Sequence, residues 1–142
     1  MNELRRRAIG LLARREHSRA ELARKLAAEG TAEEIDTVLA QLEAEGLLSD
    51  ARYAEAYLRS HSERFGAAKL KQALRAKGIP DADAEPSLAA LPSEIERARA
   101  VWARKFAAAP ADTREWARQA RFLQSRGFAV DVIRRLLKEP AE

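Results

Sequence analysis

Leu123-Gln124-Ser125-Arg126-Gly127 repeats the framework of two earlier stretches, Leu74-Arg75-Ala76-Lys77-Gly78 and Leu26-Ala27-Ala28-Glu29-Gly30. Each is a leucine, two variable residues, a charged residue and a glycine, and the glycines stand 48 and then 49 positions apart. Self-similarity at a period of this size marks a repeat architecture, in which each unit buries its apolar face partly against its neighbours. Proteins built this way present a long surface to a partner and seldom enclose a pocket.

Outward from these stretches the chain reads as helix. Leu4, Ala8, Leu11 and Leu12 make one apolar stripe on a helix of about residues 3–16, which His17-Ser18 ends. Ser18-Arg19-Ala20-Glu21 and Thr31-Ala32-Glu33-Glu34 are capping-box sequences. They open a second helix that buries Leu22 and Leu26 and a third that buries Ile35, Val38, Leu39 and Leu42. Gly30 and Gly46 are expected to stop these two helices, Gly30 in the left-handed position that follows a helix end. In the next group Ser49 is the cap, Ala54, Tyr57 and Leu58 mark the inner face of a fourth helix, and Arg64-Phe65-Gly66 is a turn. Leu70 and Leu74 face inward on a fifth helix, while Pro80, Pro86 and Pro92 predict a short or irregular sixth. Ser93 and Asp112 cap a seventh helix with Ile95, Ala98, Trp102 and Phe106, and an eighth with Trp116, Ala120 and Leu123. Residues 130–138 form a ninth. The absence of β alternation gives an all-α chain, three tandem three-helix repeats at residues 1–46, 47–92 and 93–142.

Composition narrows the function. A chain of 142 residues with 46% hydrophobic and 34% charged residues folds, and modules of this size depend on one another for stability. With no cysteine there is no disulfide, thiolate metal site or thiol nucleophile. His17 and His61 lie in no zinc-binding spacing, and no phosphate-cradling glycine loop or nucleophile elbow occurs. The chain is therefore expected not to be an enzyme and to need no cofactor or metal. Apolar runs are short, so neither a signal peptide nor a membrane span is expected, and the cytoplasm is the simplest location. Net charge is +4, and residues 93–142 hold that excess, with 11 Lys and Arg against 7 Asp and Glu. The asymmetry points to an anionic partner near the third module.

Leu12-Ala13-Arg14-Arg15-Glu16-His17-Ser18-Arg19-Ala20-Glu21-Leu22 resembles the signature of the RecX family of recombination regulators. So do Gly46-Leu47-Leu48-Ser49-Asp50-Ala51-Arg52-Tyr53-Ala54, Lys77-Gly78-Ile79 and Arg121-Phe122-Leu123-Gln124-Ser125-Arg126-Gly127-Phe128. The likeness spans essentially the whole chain in order. It implies three three-helix repeats in an elongated, curved solenoid of right-handed type. It further implies a monomeric regulator, usually inhibitory, that binds RecA filaments on DNA and modulates recombinase, ATPase and filament dynamics in DNA repair and the SOS response. Members commonly have Gly-Pro-x-Arg/Lys before the fifth helix, where this chain has Gly66-Ala67-Ala68-Lys69 and loses proline's preset φ.

Several basic surfaces are candidates for contact with that filament or with single- or double-stranded DNA. Arg114, Arg118 and Arg121 recur at i, i+4 and i+7, a row of guanidinium groups opposite Trp116, Ala120 and Leu123, and Arg126 follows it. Arginine forks suit phosphates and carboxylates. Such a row is equally an ordinary solvated helix face. Lys69, Lys71, Arg75 and Lys77 form a looser patch on the fifth helix. Arg52 and Tyr57 combine a cation with an aromatic ring, although tyrosines of this kind also fill core edges. The rival reading is a direct DNA-binding module, because three-helix units with a short turn between their later helices resemble helix-turn-helix domains. A structural adaptor for another partner is a third.

Overall fold

The computed structural model describes residues 2–138. Among them are nine α-helices and no strand: α1 (Asn2–Arg14), α2 (Arg19–Leu26), α3 (Ala32–Ala44), α4 (Asp50–His61), α5 (Ala67–Ala76), α6 (Asp81–Ala89), α7 (Glu94–Lys105), α8 (Thr113–Ser125) and α9 (Val130–Leu137). Both capping boxes form: Ser18 and Thr31 accept from the amides of Glu21 and Glu34, whose carboxylates reach back to the cap amides. Ser49, Ser93 and Asp112 accept from Arg52, Glu96 and Glu115 in the same way. No described helix is long and apolar enough to cross a membrane.

The echoing glycines are not equivalent. Gly78 and Gly127 have φ of 78° and 92°, as has Gly46 at 78°, the left-handed region that an L side chain avoids. At each, the residue after the glycine donates to the helix carbonyl five positions back, Leu47 to Leu42, Ile79 to Leu74 and Phe128 to Leu123, closing a Schellman turn. Gly30 does not share this geometry. α2 already ends at Leu26, with Glu29 bonded to the Leu26 carbonyl. A Cβ at Gly30 would lie 3.2 Å from Leu4, so its smallness fits a close approach to α1. The sixth helix is also more regular than its prolines suggest, running nine residues with Pro86 inside. The Pro80 carbonyl accepts its first bonds, and Pro86 sits late in the helix, where one missing amide costs little continuity.

The described residues fall into two compact units whose division passes through α4, α5 and α6. The first holds the chain up to Ala56 together with Leu74–Pro86. Its core is Leu4, Ala8, Leu22, Leu26, Ile35, Val38, Leu39, Leu42 and Leu48. The start of α2 is fixed three times over. The Ser18 hydroxyl donates to the Lys77 carbonyl at 2.8 Å, the Arg19 amide donates to the Asp50 carboxylate at 2.8 Å, and Gly78 packs so closely that a Cβ on it would stand 2.4 Å from Ala20. Burial raises the Asp50 pKa, against the pull of the Arg19 amide. Beside this joint His17 is almost wholly buried, its Nδ1 3.0 Å from the Arg15 carbonyl and its Nε2 2.9 Å from the Lys25 ammonium. An ammonium only donates, so Nε2 accepts and Nδ1–H donates to Arg15: the ring is neutral.

The second unit holds Tyr57–Ala73 and the chain from Ser87 onward, around Ala98, Val101, Leu123, Phe128, Val132, Ile133 and Leu137. It repeats the same joint with different residues. The Gly66 amide at the start of α5 donates to the Arg126 carbonyl at 2.7 Å, and a Cβ on Gly127 would lie 2.4 Å from that of Lys69. The Ala67 amide donates to Glu94 at 3.3 Å, and the same carboxylate receives the Ala129 amide at 3.4 Å, at the start of α9. Proline at position 67 would have no amide to give. The substitution that removes a preset φ thus supplies a donor.

Candidate functional site

The joint of the second unit brings two turns together, and their side chains converge on a cationic cleft. The turn between α4 and α5 carries Arg64 and Phe65, and the end of α8 carries Arg126. Arg97 on α7 holds the first turn: nearly buried, its guanidinium donates to the carbonyls of Ser62 (3.2 Å), Phe65 (2.7 Å) and Pro92 (3.2 Å). Burial lowers its pKa, opposed by the nearby Glu94 carboxylate. Arg104, two turns further along α7, donates to the Glu63 carbonyl. Backbone carbonyls thus fix both arginines, and through them the turn.

The cleft has a volume of about 290 Å³ and is lined by Arg64, Val101, Arg104, Lys105, Phe122 and Arg126. Among the described residues no carboxylate lines it. Cations sit over the ring that lines it, Lys105 at 5.4 Å and Arg126 at 5.2 Å from the Phe122 centroid, and over the neighbouring Phe65, with Arg64 at 5.5 Å and Lys69 at 5.4 Å from its centroid. Arg126 also approaches Phe65 at 5.8 Å. Phe122 meets Phe106 edge-on at 5.5 Å, and the Arg118 guanidinium lies 5.1 Å from the Phe106 centroid. Aromatic rings and positive charge alternate along this surface, and the cation–π contacts hold long side chains in place.

Among the residues singled out from sequence, Arg114, Arg118 and Arg121 are all exposed on α8. Arg118 is engaged, paired with Glu115 at 2.7 Å. With Gln119 also donating to it, the Glu115 carboxyl is held down to about 2. Arg126 lines the cleft, while Lys69 lies outside its lining, over Phe65, and donates to the Ser125 carbonyl at 3.1 Å. The unit division within α5 leaves Lys69 and Lys71 in the second unit and Arg75 and Lys77 in the first. Arg75 is paired with Asp81 at 2.8 Å. Arg52 pairs with Glu16 and donates to the Gly46 carbonyl at 2.9 Å, tying α4 to the end of α1. The Tyr57 ring stacks on His61 at 3.9 Å. Sequence reasoning missed Arg64, Arg104 and Lys105 as members of a site. The available signal was the cluster of basic residues flanking Phe65 and Phe106.

Family models describing the first, second and third three-helix domains of RecX match residues 5–42, 49–88 and 93–137. The regulatory protein RecX of Leptothrix cholodnii is 52% identical over 134 residues, covering 93% of this chain and 85% of its own. That of Pseudomonas putida KT2440 is 47% identical over 140 residues, covering 94% and 88%. The crystal structure of RecX from Lactobacillus salivarius superposes with a TM-score of 0.83 at 22% identity, covering 96% of this chain and 94% of that one, a likeness of fold.

Proposed function

This chain belongs to the RecX family, and from that premise we propose that it is a regulator of a RecA-type recombinase, binding the recombinase filament on DNA and restraining it. It acts in the cytoplasm as a monomer, through binding and without chemistry of its own, in the service of recombination and repair. The three modules, residues 1–46, 47–92 and 93–142, serve as successive contact units, so that many weak contacts act together. The observation that carries the reading is the match of three RecX domains in order along one chain. Arg114 and Arg121 support it, exposed on α8 with no carboxylate partner among the described residues, and so able to meet an anionic surface.

The test is recombinase ATPase on single-stranded DNA titrated with this protein. Turnover should fall as the protein is added at substoichiometric to equimolar amounts. A flat response at clear molar excess would defeat the reading.

A further inference from the structure

The second unit's cleft gives the proposed regulator a second kind of contact. We infer that the cleft formed by Arg64, Arg104, Lys105 and Arg126 over Phe122 and Val101 is a binding site for single-stranded nucleic acid, seating the phosphate backbone among the four cations with a base against the ring and guanidinium planes. The inference rests on the filament reading for its biological setting and deepens it by naming what this surface touches.

Three observations carry it. Four cations converge, and among the described residues no carboxylate lines the cleft to neutralise them, which leaves it a positive field. Its floor is apolar and aromatic, and the alternation of flat apolar surface with positive charge matches a strand that alternates bases with phosphates. A purely acidic peptide would satisfy the cations and leave that floor uncovered. The site is also built in advance. Arg97 and Arg104 pin the turn that presents Arg64, and the Gly66 amide is bonded to the Arg126 carbonyl, so little ordering remains to be done when a ligand arrives. The concavity suits one strand more than the convex ridge of a duplex.

The test uses the full chain and a fluorescent 15-mer of deoxythymidine, with anisotropy read at several salt concentrations. The double variant R64E/K105E is chosen because both side chains are exposed and, among the described residues, rest on the rings of Phe65 and Phe122. It should bind at least tenfold more weakly. The slope of log affinity on log salt should flatten by about 1.4, two phosphate contacts at about 0.7 each. The melting temperature should fall by only a few degrees, since exposed cation–π contacts contribute little to stability. Unaltered affinity in the variant, or no binding by the parent, overturns the inference. So does a poly-glutamate peptide of equal length that binds the parent as tightly, which would make the cleft a site for acidic protein, or a duplex that does so. Recombinase ATPase in the same variant separates the two readings. Lost inhibition with oligonucleotide affinity retained would reject the DNA site and leave the filament reading in place.

Discussion

The hydroxyl of Ser18 donates to the carbonyl of Lys77 at 2.8 Å while its oxygen accepts from the Glu21 amide at 3.0 Å, so one buried atom both caps α2 and fastens it to the α5–α6 turn. Thr31 caps α3 with the same local chemistry but is exposed and, among the described residues, has no such second bond. Removing an N-cap costs about 1 kcal/mol, and leaving a part-buried carbonyl without its donor costs about 1–3 kcal/mol more. Ser18→Ala should therefore lower the urea-unfolding free energy by about 2–4 kcal/mol and Thr31→Ala by about 1 kcal/mol. Equal losses would mean that the bond to Lys77 contributes nothing.

The glycines sort by what surrounds them. A Cβ at Gly46 meets nothing within 4 Å, so Gly46→Ala pays only for its left-handed backbone, about 1–2 kcal/mol. Gly127→Ala adds a clash with Lys69, and Gly66→Ala meets the Gly127 carbonyl at 2.4 Å. Both should cost about 3 kcal/mol or more, since packed backbone cannot give way as a side-chain end can. Thermal melts of the three variants should show Gly46→Ala as the mildest by a wide margin.

Acid should weaken the fold in two stages. His17 is neutral and buried, chiefly desolvation lowers its pKa from the ordinary 6.5, and the Lys25 ammonium cannot stay beside a protonated ring. Its contribution is complete above pH 6.5 and is lost as the pH falls through the depressed value, because the unfolded chain takes up the proton first. Glu21, held down to about 2 by Arg15, adds stability that is complete above its ordinary 4.5 and disappears toward pH 2. Stability measured against pH should thus be flatter below pH 6.5 for His17→Gln and flatter below pH 4.5 for Glu21→Gln. If His17→Gln reproduces the parent curve, protonation of this ring is not what weakens the joint.

On α8, Arg114 and Arg121 are exposed and, among the described residues, have no carboxylate partner. R114E/R121E should raise the concentration needed for half-inhibition of recombinase ATPase on the order of tenfold, with a larger effect at low salt. Arg118→Glu would also break the pair with Glu115 and the contact with Phe106, so a fall in its melting temperature is expected alongside. An R114E/R121E variant that inhibits like the parent would remove α8 from the contact surface.

Caps and stripes were legible because their chemistry lies within four residues: Ser18 with Glu21, Thr31 with Glu34, and Leu22 with Leu26 all declare themselves locally. Gly30 was not, since its five-residue context matches Gly78 and Gly127. The difference lies in neighbours distant in sequence, Ala20 and Lys69 against the latter two and Leu4 against Gly30. Arg97 was unreadable for a similar reason. Nothing in a helical run of charged residues says that one guanidinium will be buried, until three carbonyls from two separate segments are seen around it. The cleft draws on the turn after α4, the end of α7 and the end of α8, so no single window of sequence contains it.

The two joints have one polarity. In each, the start of a second helix is received by a carboxylate and a glycine turn from the following module: Asp50 and Gly78 receive α2, and Glu94 and Gly127 receive α5. The faces that meet are unlike, in the manner of a plug and a socket, so neither can pair with its own kind around a two-fold axis. The middle module alone carries both halves. Duplicating it in tandem would set its own plug, Gly66 and Ala67, against its own socket, Asp50 and Gly78, a pairing that neither existing joint contains, so lengthening by a whole module calls for one interface to be refitted.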